Sequence, residues 1–165
     1  GHGTRFGLDI PASDAAVVEP APAQIGGALD RLTVAVIEDD VEVRDAMVTL
    51  LHGWGCRVLA GADAEEVLAQ AQVQALTPRA LIADLRLRGG RDGLEAVAML
   101  RARWGQALPA LVVSGDSAPE RVRLMQGSGI PWLSKPAPAA RLRSWLTAVV
   151  AEQRASPQAS AEAIS

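Results

Sequence analysis

The sequence is poor in aromatic residues and in cysteine. Its 165 residues include four Trp, one Phe, no Tyr and a single Cys. Because one cysteine cannot form an internal disulfide, a disulfide-stabilised framework is excluded and a reducing, cytoplasmic setting is expected. Cys56 begins an apolar run and has no His or Cys near it in the sequence, so we expect a buried and inert thiol.

Long apolar runs and blocks of positive charge are also missing. No stretch approaches the roughly 20 apolar residues that span a bilayer, and no secretory signal pattern opens the chain. We therefore expect no membrane contact by this segment. The net charge is -3, and without a basic block nucleic acid is not an expected partner. The composition indicates one globular domain of ordinary size with some tail.

The two ends of the chain differ from its middle. Residues 12–30 are mostly Ala, Pro and other small residues with no regular period, which is typical of a linker. Residues 152–165 are Ala, Ser, Gln and Glu with one Pro, and they predict a disordered tail. The globular domain is expected over residues 31–151.

Strand and helix signals alternate within this domain. Short apolar runs predict strands, and longer segments with apolar residues at helical spacing predict helices. Asp63, with Glu66 three residues later, and Asp92 mark helix starts. Strands are predicted over 32–37, 56–59, 80–84, 110–113 and 130–134, and helices over 41–52, 63–73, 92–104, 119–126 and 139–150.

Five strands alternating with five helices predict a parallel sheet with helices on both faces, because crossovers of this length return each strand in the same direction. We expect an α/β fold of the flavodoxin-like type, a doubly wound (βα)5 three-layer sandwich with strand order 2-1-3-4-5. In that order the first and third strands are neighbours.

Polar side chains follow four of the predicted strands. Glu38 and Asp39 come after the first strand and Asp84 ends the third, while Ser114 and Lys135 follow the fourth and fifth. Because the carboxyl ends of parallel strands meet at one edge of a sheet, these five side chains are expected to gather there.

Crowded carboxylates repel one another, and a hard divalent cation relieves that repulsion. Asp39 and Asp84 are the expected direct ligands of Mg²⁺ (or Mn²⁺). Glu38 is expected to act through water, and Arg86 to supply its main-chain carbonyl. Asp40 is expected to cap the following helix rather than to bind the metal.

Within such a cluster Asp84 can act as a nucleophile toward a phosphoryl group and form an acyl phosphate. Lys135 can neutralise one phosphoryl oxygen and the Ser114 hydroxyl can donate to another. A lone Asp at a strand end is usually a cap or turn residue. Four such features on successive strand ends favour the functional interpretation.

Residues from about 32 to 150 resemble the receiver domain of two-component response regulators. The matching segments are VIEDD at 36–40, IADLRL at 82–87, VVSG at 112–115 and WLSKP at 132–136. The resemblance implies that Asp84 is the phospho-acceptor, that Glu38 and Asp39 form the acidic pair, and that Ser114 is the switch hydroxyl. It also implies a cis peptide bond after Lys135.

The resemblance further implies a histidine kinase or a histidine phosphotransfer protein as phosphodonor. A homodimer could form through the face of helix 4, strand 5 and helix 5. Trp132 occupies the position of an aromatic residue whose ring follows the switch hydroxyl, and its bulk is expected to make the switch partial. The alternative is that Trp132 is only a packed or half-exposed residue at the edge of the sheet. Many receivers have a proline four residues after the acceptor. Here Arg88 stands there, before two glycines, so a longer or looser loop is expected.

Two charged residues are expected to flank the cleft, namely Arg86, two residues after the acceptor, and Asp116, two after Ser114. One hypothesis is an ion pair that shields the acyl phosphate from water, and the alternative is two independent solvated charges.

Residues 1–11 resemble the last strand of the ATP-binding domain of sensor histidine kinases, although Gly1-His2 could also be an expression-tag remnant. This order of segments is that of a hybrid histidine kinase, whose kinase part could be attached to a membrane. The segment itself would catalyse only its own phosphorylation and slow dephosphorylation.

Two other functions remain open at this stage. A phosphatase of the haloacid dehalogenase type also uses a strand-end Asp and Mg²⁺, but it needs a second Asp where this chain has Arg86. A degenerate receiver could act only as a docking module.

Overall fold

Five strands and five α-helices alternate in the computed structural model, which describes residues 27–115 and 118–156. The strands are β1 (Thr33–Ile37), β2 (Arg57–Gly61), β3 (Ala80–Asp84), β4 (Ala110–Ser114) and β5 (Trp132–Ser134). The helices are α1 (Val41–Gly53), α2 (Ala64–Gln74), α3 (Gly93–Trp104), α4 (Pro119–Ser128) and α5 (Ala139–Ala155). A short 3-10 turn (Arg88–Gly90) lies between β3 and α3.

The strands form one parallel sheet in the order β2-β1-β3-β4-β5. The prediction of a flavodoxin-like three-layer α/β fold is therefore confirmed. The register brings Ile37 of β1 opposite Ala83 of β3. As a result, the residues that follow them, Glu38 and Asp84, lie side by side at the carboxyl edge of the sheet.

The sheet is buried on both faces, because all residues of β1, β3 and β4 are buried. Side chains alternate between the two faces. In β1, Val34 and Val36 join a cluster with residues of α1 and α5, whereas Ala35 and Ile37 join a cluster with α2 and α3. Full burial of a side chain such as Ile37 contributes about 1.5–3 kcal/mol to folding. This core fixes the strand ends that carry the polar residues.

Aspartates begin three of the helices. The Oδ1 atom of Asp40 accepts hydrogen bonds from two backbone amides of α1, and Asp63 and Asp92 accept from the first turns of α2 and α3. The predicted caps are thus confirmed, and Asp40 is committed to α1. None of the helices in the described ranges is long and apolar enough to cross a membrane.

The domain extends further than predicted at both ends. Leu29, placed in the predicted linker, is 3% exposed and belongs to the core. Helix α5 continues through residues 152–155, which were expected to be disordered, and Gln153 Nε2 donates to the backbone oxygen of Arg79 at 2.8 Å. Burial of Leu29 in the core explains the first difference, and the hydrogen bond between Gln153 and Arg79 explains the second. Residues 1–26 and 157–165 lie outside the described part, so the predictions made for them are untested.

Cys56 is buried immediately before β2, which begins at Arg57, one residue later than predicted. Burial, with a smaller contribution from the negative charge of Asp30, raises the pKa of the Cys56 thiol to about 11. The thiol is therefore protonated at neutral pH, as expected for an inert cysteine.

Candidate functional site

The carboxyl ends of β1, β3 and β5 border a cleft of about 530 Å³. Its lining contains most of the charged residues singled out from the sequence. They are Glu38, Asp39, Asp40, Asp84, Arg86 and Lys135, joined by Val43, Arg88 and Gly115.

Three carboxylates meet in this cleft. One oxygen each from Glu38, Asp39 and Asp84 lies within 4.8 Å of the other two. Glu38 and Asp84 are buried, whereas Asp39 is half-buried. Hard divalent cations such as Mg²⁺ prefer carboxylate oxygens of this kind. The donor set therefore fits the predicted metal site.

Lys135 joins two of the carboxylates and is the only lysine in the sequence. Its Nζ atom donates to Glu38 Oε2 at 2.8 Å and to Asp84 Oδ2 at 2.7 Å. The Lys135 backbone N–H donates to the Ser114 carbonyl at 2.8 Å, which ties β5 to β4 at the cleft. The predicted cis peptide bond between Lys135 and Pro136 is present.

Backbone groups fix the other oxygens of the two buried carboxylates. The Asp40 amide donates to Glu38 Oε1 at 3.3 Å, and the Arg86 amide donates to Asp84 Oδ1 at 3.2 Å. In addition, Arg44 Nη1 donates to the Glu38 backbone oxygen at 2.8 Å. Both carboxylates are thus held in place before any ligand arrives.

The pKa values of Glu38 and Lys135 both move upward. Burial raises the pKa of Glu38; the Lys135 hydrogen bond opposes this, and the charge of Asp84 adds to it. For Lys135, burial alone would lower the pKa, but the hydrogen bonds and charges of Asp84 and Glu38 outweigh it. A cation bound beside Glu38 would therefore relieve the cost of burying that carboxylate.

Arg88 forms a contact that the sequence did not predict. Its Nε atom lies 3.0 Å from Asp39 Oδ2. The one signal in the sequence was an arginine where a proline was expected, four residues after Asp84. That signal predicted a looser loop but named no partner, because the loop path decides which carboxylate the side chain reaches.

The predicted switch residues lie in the neighbouring strands β4 and β5. Ser114 ends β4 and is buried. Trp132 is half-buried in β5 and packs against a small cluster formed by Leu85, Val112 and Met125. Asp116 lies outside the described residues, so its ion pair with Arg86 stays a prediction.

The free energy of unfolding at alkaline pH should depend on the ionisation of Lys135. Its raised pKa means that its stabilising contribution is complete below the ordinary value of 10.5 and is lost as the pH rises through the folded value. The sequence has no Tyr and no second Lys. Only the Cys56 thiol competes in this range. In a Cys56→Ala background, urea unfolding between pH 9 and 12 should therefore show a decline in stability.

That decline should be smaller in the Cys56→Ala, Lys135→Met double variant, because Met carries no charge to lose. Equal pH dependence in the two proteins would contradict the ion pairs of Lys135.

Comparison with known proteins identifies the family. A sequence model of the response regulator receiver domain matches residues 34–147. Nodulation protein W of Bradyrhizobium diazoefficiens is 35% identical over 104 residues, which are 62% of this chain and 44% of that protein. The chain thus spans less than half the length of this relative.

Solved structures give the same result. CheY4, a chemotaxis protein of Vibrio cholerae, is 26% identical with a TM-score of 0.61, over 72% of this chain and 98% of that one. The receiver domain of the Francisella response regulator 1452 is 18% identical with a TM-score of 0.61, over 74% of this chain and 99% of that one, and it supports the fold alone. The chain belongs to the family of response regulator receiver domains, the signal-receiving modules of two-component systems.

Proposed function

We propose that this chain accepts a phosphoryl group from a phosphohistidine onto Asp84 and signals through the resulting change in conformation. The observation that carries the proposal is the position of the Asp84 carboxylate. It lies beside Glu38 and Asp39 and is hydrogen-bonded to the only lysine of the chain.

In the proposed reaction an Asp84 carboxylate oxygen attacks phosphorus while the bond from phosphorus to the imidazole nitrogen breaks. The electron pair of that bond stays on the imidazole, and the product is an aspartyl phosphate. Little covalent assistance is needed, since such transfers depend on in-line placement and on neutralisation of charge. Lys135 supplies one positive charge at the attacked group, and the Ser114 hydroxyl supplies a hydrogen bond.

Mg²⁺ (or Mn²⁺) would supply the remaining positive charge on the phosphoryl oxygens. Asp39 and Asp84 would hold it directly and Glu38 through water, with the main-chain carbonyl of Arg86 as a further ligand. The grouping of the three carboxylate oxygens within 4.8 Å supports this assignment.

The proposed readout runs from Ser114 to Trp132. When the Ser114 hydroxyl turns toward the phosphate, it leaves space that the Trp132 ring can enter. The packing of Trp132 against Leu85 and Met125 supports a restricted movement, since the ring already has neighbours on one side. Arg86 and Asp116 would then set how long the aspartyl phosphate survives.

The proposed partners are a histidine kinase or a histidine phosphotransfer protein, and the proposed parent is a cytoplasmic hybrid histidine kinase, or one attached to a membrane elsewhere. A homodimer through α4, β5 and α5 is proposed as one form of output. The phosphatase alternative is weak because Arg86 replaces the second Asp. The docking-module alternative is weak because the acceptor, the acidic pair and the lysine are all present.

Incubation with phosphoramidate or acetyl phosphate tests the proposal. With Mg²⁺ we expect one adduct of about 80 Da on the intact protein, labile to acid and to hydroxylamine as an acyl phosphate should be. With EDTA in place of Mg²⁺ the adduct should be absent. An adduct on another residue, or none with either donor, would contradict the proposal. Rapid catalytic release of phosphate would instead support the phosphatase.

A further inference from the structure

A guanidinium group already occupies part of the candidate metal site. Arg88 Nε lies 3.0 Å from Asp39 Oδ2; the Arg88 side chain is 78% exposed and that of Asp39 is 14% exposed. The arginine therefore reaches a half-buried carboxylate from the solvent side. Because water reaches the guanidinium, an ion pair of this kind is weak and can open at small cost.

The loop that carries Arg88 is fixed at its base and open at its tip. Leu87 is buried and its amide donates to the Arg91 carbonyl at 3.2 Å, while Arg86 forms a backbone bridge with Asp92. The tip is Gly89-Gly90. Both glycines have φ of +77°, and a Cβ atom on either would meet nothing within 4 Å. Because most of the Arg88 side chain is exposed to solvent, it can leave Asp39 without disturbing the core.

The charges in the cleft divide into two pairings. Lys135 forms ion pairs with Glu38 and Asp84 within the cleft, and Arg88 forms an ion pair with Asp39 from the solvent side. A divalent cation that binds Asp39 must either share this carboxylate with the guanidinium of Arg88 or displace the guanidinium from it. Two positive groups cannot occupy one carboxylate edge without repulsion, so the two compete.

We propose that Arg88 is an exchangeable counter-cation of the metal site: it competes with the divalent ion for Asp39 and so sets the metal concentration that the receiver needs. This inference rests on the proposed function, because it assigns a regulatory role at the same cleft. Arg88 is thus a positioning residue that acts through Asp39.

The first test measures metal affinity directly. Mn²⁺ is titrated into the full chain, and free Mn²⁺ is quantified by its electron paramagnetic resonance signal. Arg88→Ala should bind Mn²⁺ about two- to five-fold more tightly than the unmodified chain, the factor that corresponds to an exposed ion pair. The difference should shrink at 1 M salt, where the Debye length is about 3 Å.

Arg91→Ala is the matched control. Arg91 lies on the same loop, but it pairs with Asp63 and Glu65, away from the carboxylate cluster. It should leave the Mn²⁺ affinity unchanged within about 1.5-fold, since it removes the same charge without freeing Asp39. Arg88→Lys keeps the charge, so its Mn²⁺ affinity should be close to the lower affinity of the unmodified chain.

The second test observes the arginine itself. In ¹H–¹⁵N spectra the Arg88 Nε–Hε signal, assigned by its loss in Arg88→Ala, should shift on Mg²⁺ titration with the same midpoint as the Arg86 backbone amide. The Arg91 signal should not move. A merely structural role for Arg88 would leave its Nε–Hε signal unchanged at saturating Mg²⁺.

The outcomes separate this inference from the proposed function. If the unmodified chain binds no Mn²⁺ or Mg²⁺, the proposed function fails and the inference fails with it. If it binds metal and Arg88→Ala has the same affinity, or Arg91→Ala gains as much, only the inference is overturned.

Discussion

Asp84→Asn is expected to abolish formation of the phosphorylated species, reducing the adduct at least about 100-fold, to below detection. The amide has nearly the shape of the carboxylate, so the fold should be retained. However, an amide oxygen is a poor nucleophile toward phosphorus and cannot give an acyl phosphate. Intact-protein mass spectrometry after incubation with phosphoramidate and Mg²⁺ makes the measurement.

Asp40→Asn is the matched control for this variant. Asp40 borders the same cleft, two residues from Glu38, but its side chain is committed to the first turn of α1. Asn caps helices as well as Asp does, so folding and adduct yield should stay close to those of the unmodified chain. An Asp84→Asn protein that still gains the adduct, or an Asp40→Asn protein that loses it, would contradict the assignment of the acceptor.

Gly93→Ala is expected to have the largest effect on stability. Gly93 is the first residue of α3, and a Cβ atom there would overlap the backbone carbonyl of Asp84 and crowd the Cα atom of Leu85. The helix cannot simply move outward, because the Gly93 amide donates to the Leu85 carbonyl at 2.9 Å. Since both colliding groups are backbone, we expect a loss of about 3 kcal/mol or more in the free energy of unfolding.

Urea unfolding followed by circular dichroism would measure this loss, with Gly127→Ala as the control. Gly127 lies within α4 and a Cβ atom there would meet nothing within 4 Å. Its replacement should be neutral or stabilise the protein by about 0.5–1 kcal/mol, as alanine favours helix over glycine. A loss below about 1 kcal/mol in Gly93→Ala would mean that α3 can shift away from β3. The predicted crowding of Asp84 would then be wrong.

Asp84→Asn and Gly93→Ala both affect Asp84, but they change different parts of that residue. One removes the reactive group of Asp84 and leaves its backbone alone, whereas the other displaces the backbone and leaves the group. If the acceptor position depends on close packing of α3 against the end of β3, any folded Gly93→Ala protein should also accept phosphate more slowly than Gly127→Ala.

The sequence alone was sufficient for the fold and for most of the charged residues at the cleft, although not for the contact of Arg88. Apolar runs alternating with helical periods predicted five strands and five helices, and the period of each segment is a local property of the chain. Because parallel strands end at one edge, the residues that follow them could be assigned to one site. The structure brings Glu38, Asp39, Asp84 and Lys135 together as that argument requires.

The ends of the domain and of its last helix were harder to predict from the sequence than the number and order of strands and helices. Leu29 joined the core from a segment whose composition indicated a linker, and α5 continued to Ala155 through a stretch that looked disordered. In both cases contacts with distant residues outweighed local composition. Such contacts are invisible in the segment itself, which is why tertiary packing overrides weak local signals.

What the sequence by itself determined was the doubly wound sheet and most of the charged residues at its carboxyl edge, because alternation and strand order follow from local pattern and chain geometry. Only the tertiary structure decided how the charges pair there. Lys135 bridges Glu38 and Asp84, while Arg88 turns to Asp39. The path of an open, glycine-tipped loop decides the second pairing, and no local pattern encodes that path.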